Sequence, residues 1–123
     1  MPPNILIVDD SAALRKILQR VLRQAEIPLG NLYEAGDGAQ ALEAMNANAV
    51  DLVLSDINMP NMDGLQLLAQ IKANPKWQDV RVIMITTEGN QARVMDAVGL
   101  GAAGYVRKPF TADQIKEKLL SLL

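Results

Sequence analysis

Four polar signals in this chain each follow an apolar run. Asp9-Asp10 follows Ile5-Leu6-Ile7-Val8, and Asp56 follows Val50-Asp51-Leu52-Val53-Leu54-Ser55. Thr86 follows Val80-Arg81-Val82-Ile83-Met84-Ile85, and Lys108 follows Ala103-Gly104-Tyr105-Val106-Arg107. If these runs are parallel strands of one sheet, carboxylates, a hydroxyl and an ammonium converge on one edge. Such a cluster suits a divalent cation and a phosphoryl group. Three carboxylates at one edge repel and raise one another's pKa values unless a cation intervenes. Oxygen ligands without nitrogen or sulfur favour Mg²⁺, with Mn²⁺ as the alternative ion.

Each signal also has a bland reading. Acids before a helix complement its positive end, and Thr is at home in strands. A lone Lys is usually a solvated amine. Pro109 restricts the Lys108 backbone and helps to aim the ammonium. Their Lys108-Pro109 bond is one that the sequence permits to be cis. Tyr105 alone reads as core.

Two absences narrow the chemistry. The chain has no Cys and no His, which excludes disulfides, thiolate and imidazole catalysis and Cys-ligated zinc. Its 123 residues suffice for one domain with a real core. Half are apolar and 21% are charged, a globular composition. A net charge of −2 gives no reason to expect nucleic acid or anionic membrane as partner. No apolar stretch has membrane-spanning length, and Met1-Pro2-Pro3-Asn4 does not begin a signal peptide. The expected compartment is the cytoplasm.

Strand-like runs alternate with helix-like ones. From Ser11, apolar residues at Leu14, Ile17, Leu18, Val21, Leu22 and Ala25 predict a first helix with one inward face. Pro28 and Gly30 open a turn before a short strand, Leu32-Tyr33-Glu34-Ala35. Asp37 with Gln40 predicts a capping box for a second helix carrying Leu42 and Met45. A third helix starts near Gly64, uses Leu65, Leu68 and Ile71, and stops before Asn74-Pro75. A fourth runs from about Asn90 to Val98. Thr111 with Gln114 caps a fifth, with Ile115, Leu119 and Leu122 inward. Five strands alternating with five helices predict an α/β fold, a doubly wound parallel sheet with helices on both faces. Ligands of such sheets bind beyond the carboxyl ends of the strands, where all four signals lie.

Two motif matches fail. Gly99-Leu100-Gly101-Ala102-Ala103-Gly104 has the letters of a dinucleotide fingerprint but follows a helix and leads into a strand, the reverse of the required order. Its glycines are better suited to ending the fourth helix. The segment from Asp56 has a faint calcium-loop pattern, but Pro60, Asn61 and Leu67 stand at a ligand, the glycine and the final acid.

The chain resembles a receiver domain of two-component response regulators from Asn4 to Leu123. The resemblance rests on Val8-Asp9-Asp10-Ser11, Ser55-Asp56-Ile57-Asn58-Met59-Pro60, Met62-Asp63-Gly64, Thr86 and Lys108-Pro109-Phe110. Asn58-Met59-Pro60-Asn61-Met62-Asp63-Gly64 and Thr86-Thr87-Glu88 make it most similar to the stand-alone chemotaxis regulators of the CheY type. The resemblance implies a flavodoxin-like fold with strand order 2-1-3-4-5, and a single receiver domain over 1–123 with no output domain. It implies that Asp56 is the phospho-acceptor and that Asp10 ligates Mg²⁺ directly, with Asp9 acting largely through water. Asn58 would offer its backbone carbonyl, and Asp56 itself would face the ion. Lys108 would pair with the phosphoryl oxygens, Thr86 would bond to the phosphoryl group, and Tyr105 would follow as the switch.

In this family the donor is a phosphohistidine. A chain without His therefore needs a separate histidine kinase or phosphotransfer protein. Output would pass through a surface that includes Val94, Tyr105 and Lys118. The implied function is a monomeric, phosphorylation-activated switch, with the flagellar motor switch as target. It would be no enzyme beyond its own phosphotransfer and dephosphorylation. A phosphoryl shuttle or sink in another two-component pathway is the alternative. A Mg²⁺-dependent aspartyl phosphatase is remote, because Asn58 stands where such enzymes carry a second acid. Thr87 departs from the smaller residue common in the family.

Overall fold

The computed structural model describes residues 2–87 and 91–122. Five parallel strands form one sheet: β1 (Ile5–Val8), β2 (Leu32–Ala35), β3 (Leu52–Ser55), β4 (Arg81–Thr86) and β5 (Gly104–Arg107). Their order is β2-β1-β3-β4-β5, as expected. The helices between and after them are α1 (Ala12–Gln24), α2 (Gly38–Ala47), α3 (Gly64–Ala73), α4 (Gln91–Gly99) and α5 (Ala112–Leu120). A single 3₁₀ turn at Pro75–Trp77 follows α3. The expected start of the fourth helix at Asn90 and the last residue, Leu123, lie outside the described residues.

Side-chain alternation along the strands explains the layers. Successive strand residues point to opposite faces. Ile5 and Ile7 of β1, Leu52 and Leu54 of β3, and Ile83 and Ile85 of β4 pack with Leu18 and Leu22 of α1 and Ile115 and Leu119 of α5. The alternate residues Leu6, Val8, Val53, Val82 and Met84 pack with Met45 of α2, Leu67, Leu68 and Ile71 of α3 and Ala97 of α4. Both faces are covered, so β1 and β3 are buried throughout, and they are apolar up to Ser55 at the end of β3.

Local signals place the helix ends. Ser11 caps α1 by accepting the Leu14 N–H at 3.2 Å. Thr111 and Gln114 form the expected reciprocal box on α5. Asp63 and Gln66 form another on α3. The second-helix box is only half made: Asp37 accepts the Gln40 N–H, but the Gln40 side chain turns back to the Gly36 N–H. Gly101, at φ +99°, ends the α4 region as its glycines suggested. The Ala102 N–H bonds the Ala97 carbonyl and the Gly101 N–H bonds that of Val98, a Schellman closure. Ile17 departs from expectation. It sits at the margin of the α1 apolar stripe and is 47% exposed.

Candidate functional site

Strand register brings the acids together. Val8 of β1 pairs with Ser55 of β3, so the next residues, Asp9 and Asp56, leave adjacent strand ends side by side. The Asp56 N–H reaches back to the Val8 carbonyl at 3.0 Å. Alternation then sorts the side chains. Asp9 continues the Ile5/Ile7 row and Asp56 the Leu52/Leu54 row; Lys108 continues from Val106, which packs on the same face. The Lys108 ammonium lies 2.9 Å from Asp9 Oδ2 and 3.2 Å from Asp56 Oδ2. Thr86 continues the Met84 row on the other face, where Tyr105 also packs. Thr86 is fully buried, and its carbonyl accepts the Lys108 N–H at 2.9 Å. The Lys108-Pro109 bond is cis.

One carboxylate oxygen of Asp56 is held by the backbone. Its Oδ1 accepts the Ile57 N–H at 2.7 Å and the Asn58 N–H at 3.4 Å. Its Oδ2 faces the Lys108 ammonium. The Asp9, Asp10 and Asp56 side chains each offer an oxygen within 4.8 Å of the others. Asp9 and Asp56 are buried whereas Asp10 is exposed. An ammonium about 3 Å from a carboxylate attracts it by roughly 5 kcal/mol at an effective dielectric of 20. Two carboxylates within 4.8 Å repel by roughly 3 kcal/mol on the same scale. Lys108 therefore offsets only one of the two inner negative charges, and Asp10 adds to the excess. This donor set, all oxygen, compact and in excess of negative charge, fits a hard divalent cation.

The loop after Asp56 is fastened from a neighbouring helix, a feature absent from the expectations. Asn61, at φ +66°, donates from Nδ2 to Asp37 Oδ2 at 3.0 Å, and the Gly38 N–H reaches the Met62 carbonyl at 3.3 Å. The backbone N–H of Gln40, first, and then the Asn61 amide hold the Asp37 carboxyl below its ordinary value of 3.8. A depressed carboxyl contributes stability above its unfolded value and loses it as pH falls through the lower folded value. Asp37 is thus expected to titrate below 3.8 by NMR. Asp37→Asn should flatten the loss of thermal stability below that pH, and an unchanged acid slope would contradict this.

The expected output residues divide. Tyr105 and Lys118 line one cleft of about 870 Å³ together with Lys108, Gln114 and Glu117. Val94 is half-buried on α4 and is not among the described residues of that lining. The exposed apolar residues on and just after α4 are instead Met95, Val98 and Leu100.

The response regulator receiver domain profile matches residues 5–120. The chain belongs to that family. Receiver domains are signalling proteins rather than conventional enzymes: they take phosphoryl groups from histidine kinases or phosphotransfer proteins and act on downstream targets. They generally bind Mg²⁺ at an acidic pocket. The chain is 41% identical over 116 residues to chemotaxis protein CheY-3 of Vibrio cholerae, covering 94% of this chain and 88% of that protein. It is 39% identical over 117 residues to chemotaxis protein CheY1 of Helicobacter pylori, covering 94% and 93%. Among solved structures, chemotaxis protein CheY4 of Vibrio cholerae superimposes with a TM-score of 0.89 at 27% identity over the whole of both chains. The receiver domain of an HD domain-containing protein from Pseudomonas fluorescens gives 0.90 at 29% identity, covering 99% and 94%. This receiver domain is therefore a phosphorylation-activated switch homologous to the CheY regulators. Among the described residues, no helix is long and apolar enough to cross a membrane.

Proposed function

We propose that Asp56 takes a phosphoryl group from the phosphohistidine of a separate kinase or phosphotransfer protein, with Mg²⁺ held by Asp9, Asp10, Asp56 and the Asn58 carbonyl. The observation that carries this reading is the unequal treatment of the two Asp56 oxygens. Oδ1 is tied to the Ile57 N–H of the backbone, while Oδ2 faces the Lys108 ammonium at the end of a long side chain. Oδ2 is the nucleophile. Its bond to phosphorus forms as the phosphorus–nitrogen bond of the donor breaks, and the imidazole leaves. Lys108 follows the charge from Oδ2 to the phosphoryl oxygens, a short displacement for a four-carbon side chain. Bound Mg²⁺ supplies further neutralisation of the developing negative charge.

Output follows from the two faces. The acids and Lys108 occupy one face of the sheet end, while Thr86 and Tyr105 occupy the other. A phosphoryl group that draws the Thr86 hydroxyl toward it alters the space available to Tyr105, beside the cleft that Lys118 lines. Phosphorylation biases a two-state equilibrium at that surface, and a partner preferring the active state completes the shift. A shift from 1:99 to 99:1 needs roughly 5.5 kcal/mol, which phosphorylation and partner binding share. The partner proposed is the flagellar motor switch, in the cytoplasm, with this chain acting as a monomer in chemotaxis.

The test is a binding titration with a motor-switch peptide, with and without a small acyl phosphate and Mg²⁺. Affinity should rise on phosphorylation by about 10-fold, within the usual range of such coupling. A phosphorylated chain that binds the peptide no better than the unmodified one would establish the shuttle or sink instead.

A further inference from the structure

We infer that Arg15 is a positioning residue for the cation site, acting through the backbone between the two metal-facing acids. This rests on the reading of Asp9 and Asp10 as cation ligands. All four polar groups of Asp9 are engaged. Its N–H bonds the Ala35 carbonyl at 3.1 Å, its Oδ1 accepts the Ser11 N–H at 2.9 Å, and its Oδ2 meets Lys108 at 2.9 Å. The fourth group, the Asp9 carbonyl, accepts from Arg15 Nη1 at 2.6 Å.

That carbonyl belongs to the peptide plane joining Asp9 to Asp10. Because the peptide is planar, fixing the carbonyl direction fixes the Asp10 N–H and Cα with it. Arg15 therefore sets where the exposed acid stands relative to the two buried ones. The guanidinium is itself held, since its Nε meets Glu34 Oε1 at 3.0 Å. Glu34 lies on β2 opposite Ile7, so the sheet register supplies the outer anchor. The Arg15 side chain is only 18% exposed. A planar fork with donors in two directions can engage a carboxylate and a carbonyl at once, which a Lys ammonium of the same charge does less well.

Charge and geometry predict opposite signs here. Arg15 is a cation beside an acidic site, so on charge alone its removal tightens cation binding. If its role is to hold the Asp9–Asp10 peptide, removal weakens binding, and Arg15→Lys weakens it as well. Partners that orient metal ligands typically contribute 10-fold or more in affinity.

The experiment is an equilibrium Mn²⁺ titration of wild type, Arg15→Gln, Arg15→Lys and Asp10→Asn. Amide hydrogen exchange at Asp10 and Ser11 is measured in the same proteins without metal. Both Arg15 variants should bind Mn²⁺ about 10-fold more weakly. Their Asp10 and Ser11 amides should exchange faster while distant core amides keep their protection. Arg15→Gln binding as tightly as wild type or tighter, or Arg15→Lys binding like wild type, overturns the inference and leaves the metal reading standing. Wild-type binding that is absent, or that survives Asp10→Asn unchanged, overturns the metal reading and this inference with it.

Discussion

Asp56→Asn is expected to abolish phosphoryl uptake from a small acyl phosphate in the presence of Mg²⁺, a loss on the order of 10³-fold or more, as for removal of other essential nucleophiles. The substitution is nearly isosteric, so the fold should persist while the chemistry stops. The wild-type Oδ1 accepts the Ile57 N–H, and an Asn oxygen can take over that bond. The Asn Nδ2 then stands where Oδ2 faced the Lys108 ammonium at 3.2 Å. An amide nitrogen is neutral, is not nucleophilic and is itself a donor. Lys108 is left with Asp9 alone, and the negative charge of the site falls by one. Intact-mass spectrometry under native conditions reads the result directly. Incorporation at the wild-type level in Asp56→Asn would move the acceptor elsewhere and end the assignment of roles given above.

The sheet and its polar edge are readable in the sequence because each depends on local pattern. Ile5-Leu6-Ile7-Val8 and Leu52-Val53-Leu54 are apolar without interruption because both faces are covered, and a polar residue marks where each apolar run ends. Alternation carries Asp9, Asp56 and Lys108 to one face and Thr86 to the other. The fastenings of the loops are not readable in that way. Arg15 meets Glu34 only because β2 lies parallel to β1 with Glu34 opposite Ile7, a pairing between distant segments that no local spacing encodes. Asp37 does appear as a helix cap, but its second oxygen is committed to Asn61, 24 residues away. The capping pair Asp63 makes with Gln66, by contrast, has the same local spacing as Thr111 with Gln114 and is legible once the third helix is started near Gly64. Ile17 fails for another reason: helical spacing places it beside the apolar stripe, but the space available between α1 and its neighbours decides whether the stripe's margin is covered.

Gly64→Ala carries the largest expected effect on stability, and its cause lies at the acceptor itself. Gly64 opens α3, and its N–H donates to the Ile57 carbonyl at 2.7 Å. A methyl group at Gly64 would stand 2.1 Å from the Asp56 carbonyl oxygen and 2.8 Å from the Ile57 Cα. Both are backbone atoms, and neither can turn aside as a side chain does. The Met84 methyl, at 2.7 Å, adds a third conflict in a filled core. Relief requires moving either the first turn of α3 or the strand end that carries Asp56, at a cost of about 3 kcal/mol or more. The gain in helix propensity over Gly is at most about 1 kcal/mol and does not offset it. Gly99→Ala is the internal control: it lies in α4, and an added methyl there meets nothing within 4 Å. It should leave stability unchanged or raise it slightly. Denaturant titration of both variants separates the contributions, with phosphoryl uptake measured on the folded fraction. The displaced Asp56 carbonyl predicts that folded Gly64→Ala is also slow to phosphorylate, by about 10-fold or more for a misplacement near 1 Å. Equal stability of the two variants would show that the β3–α3 junction yields more readily than its packing implies.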